Sequence, residues 1–239
     1  MSFFYIGCLA VFFGYYIGRF ELVSDWIALQ EVGEYVRRFG LIFLILRWLF
    51  VVGRTSHPGF VALGGIVVAV CYQLSNTTTI LCSYLVIVGS IGIGLDELVD
   101  HFRRAIGFII AFCIATYLVI LLVSPEMVSL YYRNQDFSNP RHGFLLGHPN
   151  FISALLVYYF VLCLLSRSAS RSYKVMVFAV SALIIGLFTD SRTSLGLLFI
   201  VGLGYIVNNR FDFFTNRKIC FIVAVLPMIL MLFTYLLAT

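Results

Sequence analysis

Apolar residues in this chain run in long blocks, and polar residues are confined mostly to short connectors between them. The blocks fall at roughly 3–20, 38–53, 58–74, 78–95, 105–123, 149–166, 174–189, 193–208 and 219–238. A helix crossing the ~30 Å hydrocarbon core of a bilayer needs about 20 apolar residues, and shorter runs suffice near the interfaces. The pattern therefore predicts an all-α fold, a polytopic transmembrane helical bundle of about nine membrane helices, forming a single integral membrane domain over 1–239. Two features break the rhythm. The connector 124–149 is long, aromatic and polar. The apolar stretch Val175 to Val207 is too long for one span, and Thr189-Asp190-Ser191-Arg192-Thr193-Ser194 divides it, so a tight helical hairpin with its tip at 189–194 is expected.

Composition agrees with that pattern and removes the competitors. Hydrophobic residues make up 62% of the chain and charged residues 11%, with a mean hydropathy of +1.02. A soluble domain carries about 25% charged residues. Disorder needs low hydrophobicity and high charge, and nucleic-acid binding needs a basic tract that is absent here. Cys8, Cys71, Cys82, Cys113, Cys163 and Cys220 lie in or beside apolar runs without a CxxC pair. They read as small core residues rather than a disulfide or zinc framework. No P-loop, HExxH or GxSxG occurs and no metal-ligand spacing is visible, so neither cofactor nor metal is expected.

The net charge of +5 comes almost wholly from arginine, with Lys174 and Lys218 the only lysines. Positive residues favour the cytoplasmic side. With the 124–149 loop outside, Arg54, Arg103–Arg104, Arg167–Arg171–Lys174 and Arg210–Arg217–Lys218 fall inside. Outside fall the 21–38 segment with Glu21, Asp25, Glu31 and Glu34, the Ser75-Asn76-Thr77 turn and the 189–194 tip. That parity predicts an N-terminus inside and a cell-membrane protein whose active face is extracytoplasmic. Arg19, following the first block, favours the opposite insertion of that helix; one early segment is then re-entrant or interfacial. The first residues lack a basic region and a small-residue cleavage site, so no cleavable signal peptide is expected. The stretch Asp96 to Arg104 reads as a short interfacial helix or a charged loop. Gly89, Gly92 and Gly94, and the pair Gly14 and Gly18, read as sites of close helix packing.

Candidate chemistry concentrates in two places. Asn139-Pro140-Arg141-His142-Gly143-Phe144-Leu145-Leu146-Gly147-His148-Pro149-Asn150 gathers arginine, histidine and asparagine just before a helix. Pro149 suits the first helical turn, His148 then stands near the N-cap, and a helix N-terminus is a ready anion site. The second place is Asp190-Ser191-Arg192, ionisable residues beside membrane depth, which are functional hypotheses by default; the competing reading is a charged hairpin tip that fixes the turn. Arg133, beside Tyr131 and Tyr132, is a weaker candidate; Arg47 lies within an apolar run, where it snorkels or pairs inside the bundle. Arg141 and Arg192 offer positive charge, His148, His142 or Asp190 proton transfer, and Asn150 polar recognition. Such a set suits a lipid-linked phosphate or pyrophosphate, whose leaving-group charge fixed arginines can stabilise.

The phrase Arg141-His142-Gly143-Phe144 … Gly147-His148-Pro149-Asn150, followed after two spans by Thr189-Asp190-Ser191-Arg192-Thr193-Ser194, resembles the Wzy-type polysaccharide repeat-unit polymerases, a group related to the O-antigen ligases. The resemblance covers roughly 96–210. It implies a glycosyltransferase without a nucleotide sugar that polymerises undecaprenyl-pyrophosphate-linked oligosaccharide into capsular polysaccharide or exopolysaccharide outside the cell membrane. By position it implies that Arg141 and Arg192 stabilise pyrophosphate. His148 is then the base, Asp190 the alternative base or the partner of Arg192, and Asn150 and Ser191 order the site, with His142 and Arg133 also substrate-binding. Implied partners are the lipid-linked oligosaccharide, the bilayer, a flippase and a chain-length regulator, with no nucleic acid. The Gly-Phe pair stands a few residues before His-Pro-Asn rather than against it, and such polymerases are usually longer, so a truncated, split or nonfunctional member is expected. The alternatives are an O-antigen-ligase-like glycan transferase and a non-catalytic subunit or transporter of polysaccharide export.

Overall fold

The computed structural model describes residues 2–17, 27–75, 78–123, 125, 130–133, 136–144, 146 and 148–211. It is mostly helical. The elements are α1 (Ser2–Ile17), α2 (Ile27–Val52), α3 (Pro58–Ser75), α4 (Thr78–Gly89), α5 (Leu95–Val123), β1 (Leu130–Arg133), β2 (Asp136–His142), α6 (Pro149–Leu165), α7 (Arg171–Ile184) and α8 (Arg192–Phe211). After Ile184, α7 continues as one turn of π-helix, Ile185–Thr189. The expected ninth segment, 219–238, lies outside the described residues, as do Glu21, Asp25 and the Asn76-Thr77 turn.

Among the described residues, two helical stretches are long and apolar enough to cross a membrane, Leu95–Val123 and Arg171–Thr189; α1, α3, α4, α6 and α8 contribute shorter apolar stretches. The helices are apolar on their outer faces as well as their inner ones. Phe60 on α3 is 80% exposed and Leu122 on α5 is 84% exposed, with Leu63, Ile66, Val119, Leu203 and Ile206 also outward. Outward apolar side chains of this kind are what a helix in contact with lipid presents.

Packing forms two linked cores. The larger is built by α5 and α6 with α7 and α8 against them, around Ile106, Ile109, Cys113, Ile152, Leu156, Phe160, Ile185 and Leu198. The smaller joins α1, α2 and α4 through Phe4, Cys8, Val11, Leu44 and Leu85. Helices α1 and α2 touch backbone to backbone. A Cβ on Gly14 would stand 2.6 Å from the Gly33 carbonyl, and one on Gly40 would stand 2.8 Å from the Gly7 carbonyl. Small residues let helices approach in this way; the expected packing role of Gly14 is met by a glycine on the facing helix that its own GxxxG spacing does not reveal.

Three connectors differ from expectation. Gly89 does pack closely, against Phe4, but Gly92 and Gly94 lie past the end of α4, in the turn before α5, where Gly92 takes φ +80. Only glycine adopts that backbone freely. Arg47, 9% exposed, closes this end of α4: its Nε donates to the Gly89 carbonyl at 3.1 Å and its Nη2 to the Ile91 carbonyl at 3.0 Å. Residues 96–104 are neither a loop nor a separate interfacial helix. They are the first turns of α5, with Asp96 and Glu97 at its N-terminus, where carboxylates complement the helix dipole. The long connector holds an antiparallel hairpin, with Leu130 opposite His142, Tyr131 opposite Arg141 and Arg133 opposite Asp136. Pro140 stands within β2; proline is tolerated on an edge, and both strands of a lone pair are edges.

Candidate functional site

The hairpin returns the chain to the mouth of the bundle at Arg141 and His142. Here the two polar clusters meet. Arg141 Nε donates to the Thr189 carbonyl at 2.7 Å, and its Nη2 donates to Asn150 Oδ1 at 3.2 Å and reaches the Asp190 carbonyl at 3.5 Å. One guanidinium thus ties β2, the first turn of α6 and the α7–α8 turn together. The last carbonyls of a helix lack intrahelical partners, and a fixed cation beside them is favourable; Arg141 fills both needs. Two of its nitrogens are committed to the protein itself, so its first role is to hold the site in shape.

A buried hydroxyl pair reinforces the tie. Ser153 Oγ and Thr189 Oγ1 are 2.6 Å apart; each also donates or shares with a carbonyl one turn back, Ser153 with Pro149 at 2.9 Å and Thr189 with Ile185 at 2.9 Å. Both residues are fully buried. The π-turn shifts the register of α7 so that Thr189 faces α6; π-bulges recur at functional sites.

Asp190 follows in the left-handed region, φ 44 and ψ 39. Its carboxylate lies 4.0 Å from Arg192 Nε, and Arg192 is 79% exposed along its side chain. Ser191 is buried; its hydroxyl donates to Ser194 Oγ at 3.0 Å, inside the first turn of α8. Phe144 is the other non-glycine residue at positive φ among those described, at 49. Backbone strain of this kind costs about 1–3 kcal/mol per residue and gathers where function over-determines geometry. Both instances here flank Arg141.

The histidines occupy distinct niches. His148 is the N-cap of α6, with Nδ1 accepting from the Asn150 backbone N–H at 3.1 Å, and Pro149 follows it. A backbone N–H only donates, so Nδ1 carries the lone pair and Nε2 the proton of the neutral ring. His142 pairs through Nδ1 with the Tyr117 hydroxyl of α5, amid the rings of Phe144 and Phe188. Burial holds the His142 imidazole below its ordinary pKa, because removal from water penalises the charged form.

Arg141, His142, His148, Asn150, Asp190, Ser191 and Arg192 therefore share one end of the bundle. Arg133 sits at the far end of the hairpin, opposite Asp136, and its side chain lies outside the described residues. The opposite end of the bundle carries another polar set, where Ser168 Oγ donates to Asp100 at 3.0 Å and Arg167 pairs with Asp96 at 3.1 Å. Sequence reasoning missed Tyr117, Ser153 and Phe144. Tyr117 and Ser153 are single polar groups inside apolar blocks, and that interruption is the signal available. Nothing in the sequence marks Phe144 as strained. Comparison of the chain with protein-family models, with curated proteins and with solved structures finds no match.

Proposed function

We propose that the chain is a multi-pass membrane enzyme of the repeat-unit polymerase type. It transfers a growing glycan from undecaprenyl diphosphate to a hydroxyl of an incoming lipid-linked oligosaccharide, on the extracytoplasmic side of the cell membrane. The observation that carries the reading is the Arg141 tie, which joins the Thr189–Asp190 backbone to Asn150 in the first turn of α6 at one end of the bundle. Arg141 and Thr189, 48 residues apart in sequence, bring the two motifs together as one polar mouth.

The sidedness has support of its own. Arg103, Arg167 and Lys174 cluster at the other end, about Asp100, Ser168 and the Leu164 carbonyl, and basic residues favour the cytoplasm. The eight described helices, with apolar outer faces, serve as membrane helices in this reading.

In the reaction the acceptor oxygen attacks the anomeric carbon of the donor. The bond from that carbon to the diphosphate oxygen breaks, and undecaprenyl diphosphate leaves with the electron pair. The acceptor proton passes to a base. His148 has its Nδ1 lone pair committed to the helix cap, so Asp190 takes the base role and His148 serves as an N–H donor. Arg192, exposed and adjacent, neutralises charge developing on the leaving diphosphate, the largest single source of rate enhancement in reactions of this kind. Asn150 and Ser191 order the mouth.

The test is chain length. Arg192→Ala should insert in the membrane normally while surface polysaccharide collapses to single repeat units; polymer of wild-type length removes the role of Arg192. Purified protein given one lipid-linked repeat unit should make a ladder, whereas a ligase needs a second kind of acceptor.

A further inference from the structure

Tyr117 lies in α5 with 2% of its surface exposed, and its hydroxyl meets His142 Nδ1. No sequence motif points to it. Among the described residues His142 is the one hydrogen-bond partner of that hydroxyl. A buried phenol with a single partner donates to it, since the reverse leaves the phenolic proton without an acceptor, at about 1–3 kcal/mol. His142 Nδ1 is then an acceptor and Nε2 bears the proton.

The ring is also held sterically. Phe144, Phe188 and Tyr117 surround it with centroids at 6.4, 5.9 and 5.8 Å. Phe144 reaches its place through a positive φ of 49, so the backbone accepts strain to complete this wall. Burial lowers the pKa of His142 and keeps the ring neutral. A neutral imidazole fixed at Nδ1 offers its surroundings one thing, a directed Nε2–H. His148 has the same tautomer by a separate device, the cap bond from the Asn150 N–H.

We infer that Tyr117 is a positioning residue that locks His142 as a neutral Nε2–H donor, and that the mouth receives a diphosphate through this histidine donor as well as through arginine. The inference rests on the proposed function for the identity of the anion. Its content is separate: the His142 ring gives a hydrogen bond and does not receive the acceptor's proton. Neutral donors suit this place, because they bind phosphate oxygens without the cost of burying a further full charge.

The experiment uses the full chain in nanodiscs with 15N-labelled histidine, and undecaprenyl diphosphate alone as the probe. His142 should show a single Nε2-protonated tautomer at neutral pH. Tyr117→Phe keeps the ring and removes the hydroxyl; His142 should then populate both tautomers while His148 stays unchanged, which reports that the loop remains folded. Addition of undecaprenyl diphosphate should shift the His142 Nε2–H resonance. His142→Phe should weaken binding about tenfold, as expected for one hydrogen bond to a charged group. Tyr117→Phe should weaken it about threefold, through the reduced population of the donor tautomer. A wild-type His142 protonated at Nδ1, or a tautomer that Tyr117→Phe leaves unchanged, overturns the positioning role. Binding with an unmoved His142 resonance overturns the donor role alone. Absence of binding by the wild-type protein overturns the polymerase reading and the donor role together.

Discussion

Removing the Arg141 side chain should loosen the α7–α8 turn before it affects anything else. The magnitude follows from its three bonds. The 2.7 Å bond from Nε to the Thr189 carbonyl is charge-assisted and reaches a fully buried residue; such a bond contributes about 1.5–3 kcal/mol. The bond to Asn150 at 3.2 Å is exposed to solvent and contributes about 0.5–1 kcal/mol. The contact with the Asp190 carbonyl at 3.5 Å is too long to add much. Arg141→Ala should therefore cost about 2–4 kcal/mol. Much of that is local, because the strongest lost partner, the Thr189 carbonyl, belongs to the α7–α8 turn, and amide exchange reads such sub-global openings directly. Protection of the amides from Leu187 to Leu195 should fall in the nanodisc-embedded protein, while that of α5 around Ile109 should not. Arg141→Lys should recover little, since lysine lacks the planar fork that serves several acceptors at once. A double-mutant cycle with Asn150→Ala isolates the smaller bond. Unchanged protection in Arg141→Ala, combined with lost binding of undecaprenyl diphosphate, would refute the organising role and make Arg141 a direct ligand. Unchanged protection with unchanged binding removes it from the site.

Three further outcomes are expected. Arg192→Ala should leave thermal stability within about 0.5 kcal/mol, as for an exposed side chain with a 4.0 Å ion pair; a larger loss would mean that its effect on polymer length is one of folding. Thr189→Val removes one hydroxyl of the buried pair and leaves Ser153 Oγ with the Pro149 carbonyl at 2.9 Å, so unfolding should become easier by about 1–2 kcal/mol, and stability equal to wild type would deny the pair its bridging role. His142 has a pKa held below its unfolded value of about 6.5. Between the two values the unfolded chain binds a proton that the folded chain refuses, so the stability present above about pH 6.5 is lost as pH falls through the folded value. The Tm should drop on acidification less steeply in His142→Phe than in wild type, and parallel curves would show that another group governs the acid limb.

Much of the helical framework is legible in the sequence because apolar runs and polar breaks are one-dimensional signals. The blocks at 58–74 and 149–166 fall close to α3 and α6. The signal fails where charge and helix coexist. Asp96 to Arg104 reads as a short interfacial helix or a charged loop because it is polar, yet α5 continues through it, with Asp100 and Arg103 turned toward Ser168 on the α6–α7 connector. It fails again at Gly92, where membership of an apolar run conceals a turn. The hairpin at 130–142 is hidden for a different cause, since strand pairing is a relation between two segments and neither segment alternates cleanly.

The candidate site divides along the same line. Which residues are polar, and that they stand at the same end, follows from spacing and charge. Which atoms are already spent does not. Arginine, histidine and asparagine in a loop look equally available for a ligand, and three-dimensional accounting separates them: Arg141 gives Nε and Nη2 to the protein, His148 gives Nδ1 to a helix cap, and His142 gives Nδ1 to Tyr117. What remains is asymmetric. The committed groups fix the shape of the mouth, while Arg192 and the Asp190 carboxylate stand on a strained turn at its rim. The sequence pattern points to these residues but not to which of their atoms are already bonded: His148, the expected base, accepts the Asn150 N–H at Nδ1, and under the proposed function that commitment leaves the proton-accepting role to Asp190.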